Sequence, residues 1–431
     1  MAIKAKSLRD IANVFTPQPF TQDQMAFYQP TAIARDGYRY EYHEILFDHI
    51  VNSFEHVHCL AIGHGGCGKS TEMHVLSSKL NDEVNIPSII INATKDLNIA
   101  NITYIDIFIL IVERLVDYAD KKDIKIPKSI IKSFNASLST IITKEHWSHE
   151  LNAAVESEVS ISVLIPLLAT LASKIAGAIK TASGFREELR RELKPNMGDI
   201  TDAVNALIQE LNNAGTDIVI MLDGFEKVPL EYTRTLFIQD GSALAAIKTH
   251  MIIACPITLY RSTDAAALQS NFPLAELMPM IKTHNPDITS SPYQPGIDVV
   301  KELILRRVDD IYFENGVLDK IISMGGGNLQ STFHLLRDSA FHAHMRKSET
   351  IDMDCCNIVL NKYATDVFLR VNSRFFPILK KIYEGDFTLE NNDDVNELLY
   401  AGAVFEYNAE RWKDLHPLIR YHISKRPEVL G

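Results

Sequence analysis

Short apolar runs alternate with longer amphipathic stretches along the first two thirds of the chain. Runs of this length predict strands that are buried on both faces of a parallel sheet. They are HCLAI (58–62), SIIIN (88–92), DIVIML (217–222), HMIIAC (250–255) and ELMPMIK (276–282). The intervening segments have helical periodicity, as at 103–119, where Ile107, Ile111 and Leu115 share one face. Strands that alternate with helices predict an α/β fold with crossover connections.

The interval from about 122 to 200 contains no comparable alternation and predicts a helical insertion into the α/β unit. Its apolar stretch at 161–183 is about long enough to span a bilayer. Pro166, Lys174 and Lys180 interrupt that stretch, and a lysine at mid-membrane costs about 3 kcal/mol. These residues favour a helix that is buried or faces another subunit. A membrane-surface helix and a true span are the alternatives.

The pattern changes again towards the C-terminus. A polar, proline-containing loop at 284–296 leads into amphipathic helical segments interrupted by GGGN. From about 361, two short helical patterns precede VFEYNAERWKDLHP, which predicts two strands around an Asn-Ala-Glu turn. Two helices followed by a hairpin form the outline of a winged helix. The expected parts are an N-terminal segment (1–50), an α/β core (51–284), a helical lid (285–360) and a winged-helix domain (361–431).

Composition limits the cellular setting and the partners. The chain has 431 residues, and its formal net charge of −12 disfavours a nucleic acid or an anionic membrane as a bulk electrostatic partner. Its five cysteines show no CxxC spacing, so neither a zinc site nor a disulfide framework is indicated. The N-terminus, MAIKAKSLRDIANVF, lacks the apolar core of a secretory signal. Together these features predict a protein of the reducing cytoplasm.

The stretch that follows the first predicted strand can bind phosphate groups. Residues 63–70 match G-x-x-x-x-G-K-[ST] in full, with an apolar strand before them and a helical pattern after them. Glycines allow successive N–H groups to point at phosphate oxygens, and the helix N-terminus adds its dipole. Lys69 would reach the β- and γ-phosphates, and the Ser70 hydroxyl would bind Mg²⁺. The predicted nucleotide-binding residues are Gly63, His64, Gly65, Gly66, Cys67, Gly68, Lys69, Ser70 and Thr71.

A magnesium–nucleotide site also needs a carboxylate at the end of a neighbouring strand. The segment TDIVIMLDGFEKV provides Asp223, which directly follows an apolar run and is predicted to hold Mg²⁺. Glu226 lies three residues further on and is predicted to act as the general base for an attacking water. Lys227 could instead pair with Glu226, and a helix cap plus a surface charge is the alternative interpretation of the two acids. The predicted catalytic residues are Lys69, Asp223 and Glu226.

Four sequence segments, together with the winged-helix pattern that follows them, resemble the AAA+/STAND group of P-loop ATPases. In chain order the segments are GHGGCGKSTEM, LDGFEKV, HMIIACPITLYRS and MGGGNLQSTFHLLRDSA. Asp223 and Glu226 match the first two acidic positions of the NACHT-type motif, whereas Lys227 departs at the third. The order of parts is also similar to that of ATPases from bacterial antiviral defence systems. The resemblance implies a P-loop parallel sheet, ATP and Mg²⁺ as ligands, and a switch that acts through its own oligomer or a separate effector protein.

Two departures from the group's pattern imply slow or partner-stimulated hydrolysis. The strand at the sensor 1 position ends in Ala254 and Cys255 before Pro256, so a polar residue is missing unless Thr258 serves. Gln330 stands where sensor 2 often places an arginine, and an amide brings no charge to the γ-phosphate. An arginine donated by a neighbouring subunit could complete such a site. The candidates, each of which could equally form a surface ion pair, are Arg261, Arg306 and Arg307.

The helix of the winged-helix pattern that would enter a DNA groove is acidic. It carries Asp393, Asp394 and Glu397 without lysine or arginine, so phosphates would repel it. We therefore expect this domain to pack on the ATPase or on a partner protein. Two other functions remain open from the sequence: a DNA-handling loader or transposition-type ATPase, and a nucleotide-binding scaffold without turnover.

Overall fold

A five-stranded parallel sheet forms the centre of the computed structural model, which describes residues 4–17, 22–35, 39–134, 161–215, 217–390, 392–407 and 411–430. Its strands are β1 (His58–Gly63), β2 (Ser88–Asn92), β3 (Val219–Asp223), β4 (His250–Pro256) and β5 (Leu274–Leu277). The spatial order is β2-β3-β4-β1-β5, so β4 is the central strand and lies between β1 and β3. Every residue of β3 is buried, as expected for a strand covered on both faces.

Helices cover both faces of this sheet and form most of the other secondary structure of the described chain. The α-helices are α1 (Leu8–Val14), α2 (Tyr42–Val51), α3 (Lys69–Val84), α4 (Ala93–Asp96), α5 (Tyr104–Lys121), α6 (Ile161–Thr181), α7 (Ser183–Leu193), α8 (Met197–Asn213), α9 (Leu230–Arg234), α10 (Gly241–Ala245), α11 (Ile257–Tyr260), α12 (Ala265–Asn271), α13 (Gln294–Leu305), α14 (Val317–Gly325), α15 (Leu329–Met345), α16 (Met353–Leu369), α17 (Phe376–Tyr383), α18 (Asp393–Tyr400) and α19 (Pro417–Lys425).

The described part of the predicted insertion is helical. Helix α6 packs along α5, and its apolar residues Leu168, Leu171 and Ile175 are buried in the main core. By length and composition, Leu164–Thr181 could cross a membrane, but its apolar face is already covered by protein. Its polar face, which includes Lys174, points to solvent. This packing favours the predicted buried or subunit-facing helix, and the part of the insertion at 135–160 lies outside the described residues.

The prediction of a strand at 276–282 was wrong in its bounds. Strand β5 ends at Leu277, and the Met278 N–H makes a last hydrogen bond to the Ile62 carbonyl. Pro279 has no N–H to continue a ladder, so the chain leaves the sheet there. The apolar residues that follow are buried elsewhere, since Met280 forms a bridge with Tyr407 and Ile281 lies in the lid core.

The C-terminal residues form the expected winged helix. Helices α17 and α18 precede an antiparallel hairpin of β6 (Val404–Tyr407) and β7 (Trp412–Leu415), and α19 follows. The predicted Asn-Ala-Glu turn lies at 408–410, outside the described residues. The domain boundary that we propose at 360/361 falls inside α16, which is one continuous helix. The other domain boundaries are also proposals. One apolar core contains Ala61 and Met221 of the sheet together with Tyr407 and Trp412 of the hairpin.

Candidate nucleotide site

The loop between β1 and α3 has the backbone of a phosphate cradle. Gly66 (φ 81°) and Gly68 (φ 111°) both adopt left-handed conformations that L-side chains rarely take. Gly68 is the N-cap of α3, which begins at Lys69, so Ser70 and Thr71 occupy the first turn. The first N–H groups of a helix have no intrahelical partners and favour an anion. The predicted motif therefore has the local structure that phosphate binding requires.

The lid touches this loop directly. Asn328 Nδ2 donates to the Gly65 carbonyl at 2.8 Å, and the Leu329 N–H donates to the Gly66 carbonyl at 3.0 Å. A Cβ added at Gly66 would lie 2.5 Å from Asn328 Oδ1, so the contact excludes any larger residue. Gln330 follows in the same turn and is exposed. Asn328 is not among the predicted site residues, although its position after three glycines marks a tight turn.

Lys69 is buried inside the loop. Its ammonium donates to the carbonyls of Gly63 at 3.0 Å and His64 at 2.8 Å. Burial by itself opposes the charge of this lysine. The nearby groups of Cys67, Glu226 and Asp223 outweigh that effect and raise the pKa of Lys69. The ammonium is therefore held charged at the place where phosphate oxygens would lie.

Asp223 is held by one partner on each carboxylate oxygen. The Ser70 hydroxyl donates to Oδ1 at 2.7 Å, and Asn92 Nδ2 donates to Oδ2 at 2.8 Å. Asn92 ends β2 directly opposite Asp223 in the strand register. Asn92 is not among the predicted site residues, yet a polar residue at the end of a predicted neighbouring strand is a usable signal. The structure thus brings together Ser70 and Asp223, which lie 153 positions apart in the chain.

The Ser70 and Asp223 oxygens fit a magnesium ion. Mg²⁺ prefers octahedral oxygen ligands at about 2.1 Å, so two adjacent ligands lie about 3 Å apart. The observed separation of 2.7 Å is close to that spacing. The hydrogen bond from Asn92 fixes the carboxylate from behind, as outer partners of metal ligands commonly do.

Two polar atoms close to this centre lack partners. Glu226 Oε2 and Thr258 Oγ1 are buried without a hydrogen bond to any part of the chain that the structure describes. Thr258 is only 1% exposed and lies two residues beyond Pro256, which pairs with Gly63 at the start of the loop. Because buried polar groups are nearly always bonded, each orphan atom calls for a ligand or a water.

Three arginines were predicted as candidates to complete the nucleotide site of a neighbouring subunit. Each of them forms hydrogen bonds or an ion pair within its own chain. Arg261 forms a buried ion pair with Glu406 at 2.6 Å, and Arg306 Nε donates to Gln29 Oε1 at 2.7 Å. Arg307 donates to the Leu303 carbonyl at 2.7 Å, and burial together with Arg306 lowers the pKa of Arg307 to about 10. Arg261 and Arg307 are therefore held inside the chain, whereas the Arg306 side chain remains partly open to solvent.

His64 and Arg35 connect the loop to distant segments. His64 Nε2 accepts the backbone N–H of Glu406 at 2.9 Å. Burial, aided by the charges of Lys69 and Arg261, lowers the pKa of His64 to about 3. Arg35, from the N-terminal segment, donates to the Cys67 carbonyl at 2.8 Å and also to the carbonyl of Pro279. No sequence signal pointed to Arg35, because its partners are backbone atoms.

The acidic helix α18 faces the α/β core. Tyr400 donates its hydroxyl to the Val228 carbonyl at 3.2 Å, and Asn396 is buried beside Arg261. Asp393 and Asp394 are exposed in the first turn of this helix. The winged-helix unit therefore packs on the core through the helix that would otherwise be available to DNA.

Comparisons with solved structures found chains of similar architecture. Cdc6p from Pyrobaculum aerophilum is 12% identical, with 97% of each chain covered and a TM-score of 0.41. The ORC2 protein of Aeropyrum pernix is 11% identical over 93% of this chain and 98% of its own, with a TM-score of 0.44. The RuvB Holliday junction branch migration motor of Thermotoga maritima is 12% identical over 85% and 87% of the two chains, with a TM-score of 0.33.

These likenesses carry no argument about function at such identities and scores. No family model and no curated protein matches the chain. The fold assignment rests on the protein itself: the strand order, the phosphate loop after β1, the helical lid and the C-terminal winged helix. On these features the chain has an α/β fold with a P-loop parallel sheet.

Proposed function

We propose that this chain is an AAA+/STAND-like switch ATPase that binds ATP with Mg²⁺ and hydrolyses it slowly or with help from a partner. One observation carries the proposal: the Ser70 hydroxyl and the Asp223 carboxylate lie 2.7 Å apart beside a buried, charged Lys69. A glycine-rich turn that merely connected a strand to a helix would not need a buried lysine and a carboxylate at the same point.

Each residue has a distinct proposed task. The amides from Gly63 to Ser70 and the Lys69 ammonium bind the phosphates, while Ser70 and Asp223 hold Mg²⁺. The metal ion, when bound, neutralises charge on the transferred phosphoryl group. Glu226 accepts a proton from the attacking water, and its unbonded Oε2 is available for that water. Bases of this kind typically contribute a factor of about 10²–10⁴ in rate.

Slow turnover follows from what surrounds the loop. The exposed Gln330 provides no charge in the lid, Arg261 and Arg307 are bound inside the chain, and the exposed Arg306 is bonded to Gln29 and Glu302 of its own chain. In a site that lacks a mobile arginine, the rate of hydrolysis is lower by a factor of about 10³–10⁵ than in a site that has one. The ATP-bound lifetime would then be long, which suits a switch more than a motor.

We further propose that the protein is the ATPase component of a bacterial antiviral defence complex in the cytoplasm, acting through a homo-oligomer or a separate effector protein. This part rests on the resemblance of its motifs and their order. Nucleic acid is not favoured as a partner, because helix α18 is acidic and packs on the core. Tight, steeply salt-dependent binding to duplex DNA would support a loader instead.

Paired measurements of binding and turnover test the enzymatic part. The parent should bind ATP saturably when Mg²⁺ is present. Lys69→Ala should weaken that binding by about 10- to 100-fold, since it removes a charged hydrogen-bond donor. Glu226→Gln should keep ATP affinity and lower phosphate release by about 10²-fold or more.

Lys227→Ala serves as the matched control, because this exposed neighbour of Glu226 is assigned no role at the site. It should behave as the parent in both assays. Absence of saturable ATP binding, with Lys69→Ala indistinguishable from the parent, would overturn the proposal. If phosphate release is at the same background rate in the parent and in Glu226→Gln while ATP binding is intact, the proposed hydrolysis is wrong. The protein would then be a nucleotide-binding scaffold.

A further inference from the structure

Strand β2 lies at one edge of the sheet, where β3 is its single hydrogen-bonded neighbour in the described chain. In a parallel pair, only every second residue of a strand directs its backbone N–H and C=O groups at the partner strand. The Pro87 carbonyl accepts the Val219 N–H next to β3, and this bond sets the alternation. The backbone groups of Ser88, Ile90 and Asn92 therefore point away from the sheet.

Two of these three residues have unused backbone groups on the open edge. The Asn92 N–H donates to Asp96 Oδ2 at 2.8 Å, which agrees with its outward direction. The outward N–H and C=O groups of Ser88 and Ile90 form no hydrogen bond with any residue that the structure describes. Unpaired backbone groups at the edge of a sheet are a template on which another strand can pair.

The open edge lies in a groove rather than on a flat surface. The groove has a volume of about 440 Å³, which is within the usual range of binding pockets. Helices α3 and α5 pack on opposite faces of the sheet, and they line the groove with His74 from α3 and with Tyr118 and Lys121 from α5. Another sheet with its own flanking helices could not reach β2 between these helices, whereas a single extended chain could.

The charges that line the groove are paired except at one point. The carboxylates of Asp96 and Asp117 each have a cation beside them, Arg114 at 3.3 Å and Lys121 at 2.7 Å. Lys95 also lines the groove, and its exposed side chain forms no ion pair with the part of the chain that the structure describes. Complementary charge therefore favours an occupant with a carboxylate at this end of the groove.

We propose that β2 binds an extended segment of a partner protein as a sixth strand of the sheet, and that this segment carries a carboxylate opposite Lys95. Main-chain hydrogen bonds to Ser88 and Ile90 hold the segment, as in other cases of strand addition, and side-chain contacts select it. Asp223 lines the same groove, so the bound segment lies beside the proposed magnesium site. Docking at this edge uses no nucleotide and does not depend on the proposed function.

A synthetic peptide titrated into the full chain without nucleotide tests the strand addition. The probe is an acetylated and amidated peptide of about seven residues, the length of an ordinary strand. Threonine and valine alternate between a glutamate at each end, so that one carboxylate reaches Lys95 in either strand direction. Calorimetric titration should show saturable binding of one peptide per chain, because main-chain hydrogen bonds do not require particular side chains. The same peptide N-methylated at every internal residue has no internal N–H to donate and should bind at least about tenfold more weakly.

Ile90→Pro is the matched change on the protein. It removes the outward N–H, and an edge strand tolerates proline where that N–H does not face the neighbouring strand. Affinity for the glutamate peptide should fall at least about tenfold. Ile90→Val keeps the N–H and most of the packing, so it should bind the peptide as the parent does. In the parent, saturating peptide should also slow amide hydrogen exchange of the segment 88–92 at least about tenfold.

A reversal of charge tests the carboxylate opposite Lys95. The parent should bind the glutamate peptide about two- to fivefold more tightly than a peptide with lysine at both ends, because exposed ion pairs are weak. Lys95→Glu should reverse this preference. Lys122→Glu changes an exposed lysine that does not line the groove, and it should keep the preference of the parent.

Absence of saturable peptide binding to the parent would overturn the proposal. Equal affinity for the N-methylated peptide would also overturn it, because binding would then not use main-chain hydrogen bonds. Both results are obtained with the parent protein alone, so they decide the matter even where Ile90→Pro does not fold. A preference that stays unchanged in Lys95→Glu would overturn the assigned carboxylate. Self-association of the parent that Ile90→Pro abolishes would assign the edge to a second copy of the chain and overturn the partner protein.

Discussion

The Asp223 carboxylate, which we propose as a ligand of Mg²⁺, is held in one orientation by two hydrogen bonds. Its two oxygens accept hydrogen bonds from different elements, Ser70 at the start of α3 and Asn92 at the end of β2. Each bond removes one direction in which the side chain could rotate, so Oδ1 stays directed at the loop. The Asn92 side chain is itself fixed, since its oxygen caps α4 by accepting N–H groups from Thr94 and Lys95.

Replacing Thr258 distinguishes a packing residue from one that serves the reaction. Thr258→Val keeps the shape and removes a hydroxyl that has no partner in the described structure, so stability should stay equal or increase. If the hydroxyl binds the γ-phosphate or the attacking water, phosphate release should fall by at least about tenfold.

The control is Thr258→Ser, which retains the hydroxyl and should retain most of the activity at somewhat lower stability. Thermal unfolding and phosphate release are measured on the same preparations. Unchanged turnover in Thr258→Val would show that the orphan hydroxyl has no part in hydrolysis.

At the scale of elements, burial distinguishes the two interpretations of α6, which are a helix packed on protein and a helix in a membrane. Its composition suits a membrane, but its spacing places Leu168, Leu171 and Ile175 on one face that α5 and the neighbouring helices cover. A small apolar cavity of about 20 Å³ lies between these helices, lined by residues such as Phe108, Ile175 and Met197. The helix therefore stabilises the insertion as a core element.

Ile175→Ala tests that role against membrane association. The side chain is 1% exposed, so the variant should lose about 2–5 kcal/mol in the free energy of unfolding. The adjacent Lys174→Ala changes an exposed residue and should alter stability by less than about 0.5 kcal/mol. Urea unfolding measures both, and equal stabilities would contradict the assigned packing.

Hydrophobic periodicity and sequence motifs predicted the elements that are specified by consecutive residues. Strands β1, β2 and β4 coincide with apolar runs, and the phosphate loop is defined by eight consecutive residues. The bounds of strand β5 were predicted wrongly because the apolar run at 276–282 is buried partly by the sheet and partly by the lid and the hairpin. Periodicity shows that residues are buried, but it does not show which element buries them. Asn328, Arg35 and Glu406 were missed for a related reason. Their function depends on contacts made across 263, 32 and 342 positions of the chain.

Across the whole molecule, three separate segments meet at the phosphate loop. Arg35 from the N-terminal segment binds the Cys67 carbonyl, Asn328 from the lid binds the Gly65 carbonyl, and Glu406 from the hairpin binds His64. The first two contacts use carbonyl oxygens and leave loop amides for phosphate. The loop is therefore the point at which a nucleotide can influence every unit of the protein.

Acidification should weaken the folded state through two buried histidines in different units. Burial lowers the pKa of both His64 and His416 to about 3, and the charges of Lys69 and Arg261 add to the effect at His64. In the unfolded chain a histidine has a pKa of about 6.5, so below that value the unfolded state binds protons that the folded state does not. The free energy of unfolding should therefore fall as the pH is lowered from about 6.5 towards 3, by up to about 1.4 kcal/mol per pH unit for each histidine.

Urea unfolding at pH 7.5, about 6.5 and about 5.5 measures that slope. His416→Gln removes one titrating group, so its free energy of unfolding should fall by about 1.4 kcal/mol less than that of the parent between pH 7.5 and 5.5. His344→Gln, at an exposed position on α15, is the control and should keep the slope of the parent. A slope in His416→Gln equal to that of the parent would mean that this histidine is not held neutral by burial. The junction of lid and winged helix, where His416 meets Ser331, would then be open to water rather than closed.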